Sequence, residues 1–291
     1  MNTVYLYALS ANFCFAMASQ VFTHYSRSTS SVWMNTVKTL VAFCAFAIAV
    51  IATGGFSGPD LVYISLLFLS GALGLGIGDW FLLTSFKEMG PGRTMILFGF
   101  QPVIFGVFGF FIFNQVLNIE KFWGILFFVL CLVTISRESF RVDRHFHLKG
   151  ISMAFTGMCL DALGAMLSRY VFDHNPELSV FEGNLYRCLG ALTFFFLFSK
   201  FKPMNFRTTW QKQSRRGQLI LLIGSLFGTF VSLSFYMKAL QSAHLASLAG
   251  IAITGTVFSS ILECLIQRKW PSTHLMVAFI FFLCGMKLIL F

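Results

Sequence analysis

A pair of long apolar runs joined by a tight polar turn occurs twice in this chain, and that recurrence limits the available folds more than any other feature. The first copy spans Leu66–Leu117, with Lys87–Arg93 as its turn. A degenerate second copy runs from Leu219 to Pro271. Gly228 stands there in place of Gly76, Ala239 in place of Lys87 and Gln267 in place of Gln115, each 152 positions later. Each run holds about the 20 residues needed to cross a bilayer core. A membrane hairpin that recurs once is the pattern of a duplicated transporter core. Only 11% of the 291 residues are charged and 57% are hydrophobic, whereas soluble domains are about 25% charged. The expected class is therefore an all-α polytopic membrane protein.

Hydropathy divides the chain into ten predicted spans, at 4–22, 33–53, 61–84, 94–113, 121–136, 150–172, 181–199, 218–238, 244–265 and 273–291. Gly, Pro, Asn and charged residues cluster at the breaks between them. The halves 1–136 and 150–291 correspond, with 137–149 as a basic linker loop. Asn12 aligns with Asp161, and Asn35–Lys38 with Asn184–Arg187, at an offset of 149. Both second spans thus carry Asn-x-x-basic, which places the two side chains on one helix face. Five spans per half is an odd number, so the second half enters the membrane upside down. The expected architecture is ten transmembrane helices arranged as two inverted five-helix repeats. Solute would bind at mid-membrane, on the seam between the repeats.

Over essentially its whole length this layout resembles the drug/metabolite transporter superfamily, in its ten-helix EamA-type branch. Lys38 and Arg187 match that family's basic position in each second helix. Gly71, Gly74, Gly76 and Gly78 match its Gly-rich third helix, and Pro102 its fourth-helix proline. The sequence departs from the pattern at Gln115 and Gln267, where the family commonly has Glu, and at Thr254, where the second proline would stand. The resemblance implies secondary transport, often export of amino acids or related small polar metabolites, across the cell (inner) membrane by alternating access. It also permits a flippase for an amphipathic or lipid-linked substrate. Ten spans would enclose a complete pathway, so a monomer would suffice.

Charge supplies the orientation argument. Loops after the odd-numbered spans hold fifteen Lys and Arg residues, and the other loops hold almost none. The positive-inside rule puts those fifteen in the cytoplasm and both termini outside, whereas the family resemblance favours both termini inside. The net charge of +10 belongs to these short loops, where it meets anionic lipid head groups, and it does not point to nucleic acid. The N-terminal run has no basic residue ahead of it and no Ala-x-Ala site, so it reads as a retained span. All seven cysteines fall in apolar runs without a CxxC pair and read as small apolar helix residues.

Ionisable groups inside spans are costly and mark cavities or buried partners. The candidates for substrate binding are Asp79, Asp161, Asn12, Gln101, Trp80, Tyr236, Lys38 and Arg187. Asp79 follows the Gly run as a substrate-amine or proton-carrying group, or as a buried partner of Lys38. Lys38 and Arg187 either face the cavity or snorkel to the interface. Gln101 precedes Pro102, whose ring deprives the Phe98 carbonyl of its helical donor. Ser232 and Ser234 fall in the same region, and Glu263 is expected to pair with Arg268 and Lys269. The Gly run lacks the Gly-Lys-Ser/Thr of a phosphate loop, so ATP is not expected as a cofactor. No metal site and no catalytic grouping emerges, and the chain is not expected to be an enzyme.

Overall fold

The computed structural model describes residues 2–101, 103–105, 148–201, 204–242 and 268–290, together with single positions or short stretches within 119–137 and 254–266. Every described regular element is helical. Helix α1 is Asn2–Ser28 and α2 is Ser31–Ala52, separated by a sharp turn whose Ser30 Oγ accepts the Trp33 N–H at 3.1 Å. Helix α3 is Leu61–Met89, and α4 is Pro91–Phe98. Between them Gly90 sits at φ +87, a left-handed value that glycine adopts freely, and Pro91 opens α4 where its missing N–H costs nothing. The second half supplies α5 (Leu148–His174), α6 (Val180–Phe201) and the short α7 (Phe206–Gln211). Helix α8 runs from Arg215–Ser225 through Leu226–Val231 into Ser232–Ser242, and α9 is Thr273–Leu290.

Four of these helices, α2, α3, α5 and α8, are long and apolar enough to cross a membrane, and the Thr273–Gly285 part of α9 is a shorter apolar helix. Helices α1 and α6 have spanning length, at 27 and 22 residues. The predicted spans at 94–113, 121–136 and 244–265 are described only in part, and Pro102, Gln115, Gln267 and most of the 137–149 linker lie outside the described residues. Large apolar side chains face outward along the helices, among them Ile48, Ile51, Leu61, Phe196 and Leu219. Water would penalise that surface, whereas hydrocarbon accepts it.

In both halves the third helix changes its winding in mid-course. Ala72–Gly78 of α3 and Leu226–Val231 of α8 are π-helical, and the repeat-related Gly76 and Gly228 lie inside these two segments. A π turn widens the helix and misaligns its backbone bonds, so polar side chains nearby have carbonyls to meet.

Packing pairs the first helix of one half with the third of the other. Helix α1 runs antiparallel to α8, with Tyr7 stacked on Phe235, Ser232 Oγ donating to the Ala11 carbonyl at 2.9 Å and Tyr25 Oη donating to the Gly217 carbonyl at 3.1 Å. Helix α5 runs antiparallel to α3. Tyr63 lies against His174, Ser70 Oγ donates to the Gly164 carbonyl at 2.7 Å, and Lys149 reaches Glu88 at 3.4 Å. Glycines bring these backbones together. A Cβ on Gly71 would lie 1.8 Å from the Arg187 carbonyl oxygen of α6, and one on Gly190 would lie 1.9 Å from that of Phe68. Apolar clusters fill the remaining seams, one around Phe22, Trp33 and Phe86, another around Phe46, Leu185 and Phe195.

The two ends of the bundle differ in charge. Arg27 Nε donates to the Lys87 carbonyl at 3.1 Å, next to the Lys149 contact and the Arg215–Gly217 turn. The other end holds Asp60, Asp173, Glu177 and the contact of Gln241 Nε2 with the Leu178 carbonyl.

Candidate functional site

The first turns of α2 carry Asn35 and Lys38 on one face, aimed at the π segment of α3. Asn35 Nδ2 donates to the carbonyls of Leu75 at 3.0 Å and Gly76 at 3.1 Å. One turn further on, Lys38 Nζ donates to Asp79 Oδ2, at the residue that follows the π segment, and the ammonium lies 5.5 Å from the Phe22 ring. The Lys38 side chain is 2% exposed and that of Asp79 12%. Opposite charges in such a place are held by each other. Asp79 thus takes the buried Lys38 partner that its position allowed.

The second half uses the same two positions differently. Asn184 Nδ2 donates to the Leu233 carbonyl of α8 at 3.4 Å, and its Oδ1 accepts from Arg187 Nη1 at 3.1 Å. Arg187 Nε donates to Ser70 Oγ at 3.1 Å, and Ser70 in turn lies 2.8 Å from Ser168 Oγ. Both basic residues are therefore buried, Arg187 at 1% exposure. This corrects the snorkelling alternative: neither reaches the membrane surface, because each finds polar partners on α3.

A cavity of about 130 Å³ lies where α1, α2, α3, α5 and α8 converge, with Gly99 and Gln101 from the chain after α4. Six of the eight sequence candidates line it, namely Asn12, Lys38, Asp79, Gln101, Asp161 and Tyr236, and so does Ser232. Asp161 Oδ2 accepts from Gln101 Nε2 at 2.7 Å and lies in the electrostatic field of Asp79, Arg187 and Lys38. Its repeat mate Asn12 donates to Thr254 Oγ1 at 3.4 Å. Each first helix thus bonds to a residue of the other half.

Arg187 stands just behind the wall. A Cβ on Gly74 would sit 3.6 Å from Asp161 Oδ1 and 3.7 Å from Arg187 Nη2, so the missing side chain leaves a gap between carboxylate and guanidinium. Trp80 is placed elsewhere, stacked on Phe81 and tilted against Phe198 at the α3–α6 seam. Ser234 bonds back to its own helix at Phe230. Glu263 accepts the Gly92 N–H at 2.5 Å, which corrects its expected pairing with Arg268 and Lys269: its carboxylate is drawn to a bare backbone donor at the start of α4.

Sequence reasoning missed Asn35, Asn184, Ser70 and Ser168 as working residues. The doubled Asn-x-x-basic pattern was the available signal for the two asparagines. A serine in an apolar run carries no such signal. Replacing Asn35 with Leu is expected to lower stability by about 1–3 kcal/mol, because two buried carbonyls lose their donor. Asn184→Leu is expected to cost less, its bond being longer. Thermal unfolding of the purified variants checks both.

Related positions also tie the bundle at its two ends. Trp33 Nε1 donates to the Phe206 carbonyl at 3.3 Å, next to the basic loops. At the other end Ser57 N–H and Oγ donate to Glu182 Oε2 at 2.9 and 2.7 Å. Trp33 and Glu182 are 149 residues apart, and so are Ser57 and Phe206.

Comparison with known proteins agrees with this duplicated plan. No curated protein matches the chain. A solved structure described as "Crystal structure of protein" superposes with a TM-score of 0.69, covering 99% of this chain and 96% of its own, at 13% identity. At that identity the likeness shows a common fold alone. Residues 2–137 and 148–291 each match the EamA-like transporter family. With both halves matched across nearly the full length, the chain is a membrane transporter that belongs to the EamA-like transporter family.

Proposed function

We propose that this protein is a secondary transporter, working as an exporter, for compact polar metabolites such as amino acids, in the cell (inner) membrane. The reading rests on one observation: carboxylates and cations from both halves, Asp79 with Lys38 and Asp161 near Arg187, gather around a single buried cavity. A solute bearing an ammonium and a carboxylate can exchange partners with these groups, so charge need not be left bare in the membrane interior. The cavity of about 130 Å³ suits a compact polar group better than an acyl tail, which favours this reading over a flippase.

Alternating access follows from two inverted five-helix repeats, and the antiparallel pairings α1–α8 and α3–α5 support that arrangement. In it, the Trp33–Phe206 and Ser57–Glu182 ties close opposite ends of one path, and breaking one at a time would expose the cavity to each side in turn. The bias of the fifteen basic loop residues supports a cytoplasmic Trp33 end.

Counterflow of radiolabelled amino acids into proteoliposomes tests the proposal. Wild-type protein is expected to exchange at least one of them, and Asp161→Asn to lower exchange at least tenfold with unchanged thermal stability. Full activity in both Asp161→Asn and Asp79→Asn would remove the site assignment. Absence of counterflow with every compact polar solute would remove the assignment of such solutes as cargo.

A further inference from the structure

A second and larger cavity, of about 620 Å³, lies apart from the charged site on the flank of the bundle. Its walls come from Ile96 of α4, Ile261 and Leu265, and Leu275, Met276 and Phe279 on the first turns of α9. That volume falls within the roughly 300–1,000 Å³ typical of ligand pockets, but these walls offer a polar solute no partner. The mouth is different. Arg268, Lys269 and Trp270 border it, all three exposed, and Trp270 is 94% exposed. The mouth opens at the basic end of the molecule, because the neighbouring Glu263 meets Gly92 beside the Lys87–Arg93 turn. That contact also engages Glu263, the carboxylate nearest to Arg268 and Lys269 along the sequence. Among the described residues no carboxylate bonds to Arg268 or Lys269.

The backbone at this mouth is unusual. Lys269 N–H donates to the Cys264 carbonyl at 3.0 Å and Arg268 N–H to that of Leu265 at 3.2 Å, the paired bonds of a helix C-terminus closed by a left-handed residue. Arg268 takes that place at φ +51, where glycine is the usual occupant. A guanidinium is therefore held at the rim where chain geometry alone would favour Gly.

We infer that this groove is a binding site for an anionic phospholipid, with one acyl chain between α4 and α9 and its phosphate on Arg268 and Lys269. An apolar slot with two cations and an indole at the interface matches the two parts of such a lipid, and matches neither a zwitterionic lipid nor a free anion as well. The site is separate from the charged cavity and does not depend on the transported solute.

Thermal unfolding of the detergent-purified protein tests the assignment, because a ligand that binds the folded state raises its apparent stability. Dioleoyl phosphatidylglycerol is expected to raise Tm by several degrees more than equal dioleoyl phosphatidylcholine, and inorganic phosphate to leave it unchanged. Arg268→Gly combined with Lys269→Gln is expected to erase the difference between the lipids. Arg268→Gly keeps the fold, since glycine adopts this φ without strain, so a loss there cannot be ascribed to misfolding. Leu275→Trp, which fills the slot, is expected to weaken both lipids. Equal stabilisation by the two lipids, a matching effect of phosphate alone, or an undiminished preference in the double variant would each overturn the site.

Discussion

Replacing Gly71 with alanine is expected to abolish folded protein. The added methyl would lie 1.8 Å from the Arg187 carbonyl oxygen and 2.3 Å from its carbon. These are backbone atoms of a facing helix, and no rotamer change relieves the overlap. Separating α3 from α6 would open a void along the seam and pull Arg187 away from Ser70. The combined cost is expected to reach about 4 kcal/mol or more, the range reserved for overpacking and broken buried networks. Gly190→Ala is expected to behave alike, since its methyl would meet the Phe68 carbonyl oxygen at 1.9 Å. Gly76→Ala is the control, because the nearest atom there is a Phe194 ring carbon at 3.2 Å, which can shift. Monodisperse yield and Tm after purification check the series. A well-folded Gly71→Ala protein would contradict the close approach of these helices.

The second large effect is expected at the Lys38–Asp79 pair. Lys38→Met leaves a carboxylate without its cation, and Asp79→Leu leaves an ammonium without its anion. Each is expected to cost about 3–5 kcal/mol, the usual penalty for half a buried pair. The double variant is expected to regain most of the loss, since an apolar pair of similar volume needs no counter-charge. Transport is expected to stay absent in all three. A double-mutant cycle read by thermal unfolding reports the coupling. Additive costs would show that the two groups are solvated separately.

Much of the architecture was legible in the sequence because membrane segments announce themselves by length and apolarity. The offset of 149 that aligned Asn12 with Asp161 and Lys38 with Arg187 reflects a real equivalence of position, since these residues stand in or against one cavity. The equivalence did not extend to partners. Lys38 meets a carboxylate on α3, whereas Arg187 meets a serine, and nothing in an apolar run marks Ser70 for that role. The π turns were not legible either. Glycines at Gly76 and Gly228 allow such a turn but do not demand it, and in α3 its carbonyls are met by Asn35 on another helix. Trp80 shows the opposite failure. Its neighbour Asp79 faces the cavity, but one residue along a helix rotates the side chain by about 100°, toward Phe198.

The ties at the two ends of the bundle use the same pair of repeat-related positions and differ in kind. The Trp33–Phe206 tie is a single neutral indole–carbonyl bond, of a kind that contributes about 1 kcal/mol. Ser57 makes two bonds, at 2.9 and 2.7 Å, to a Glu182 that is fully buried. In the proposed alternating-access cycle, the end tied by one bond would therefore open at lower cost than the end tied by two, which gives the two mouths unequal barriers.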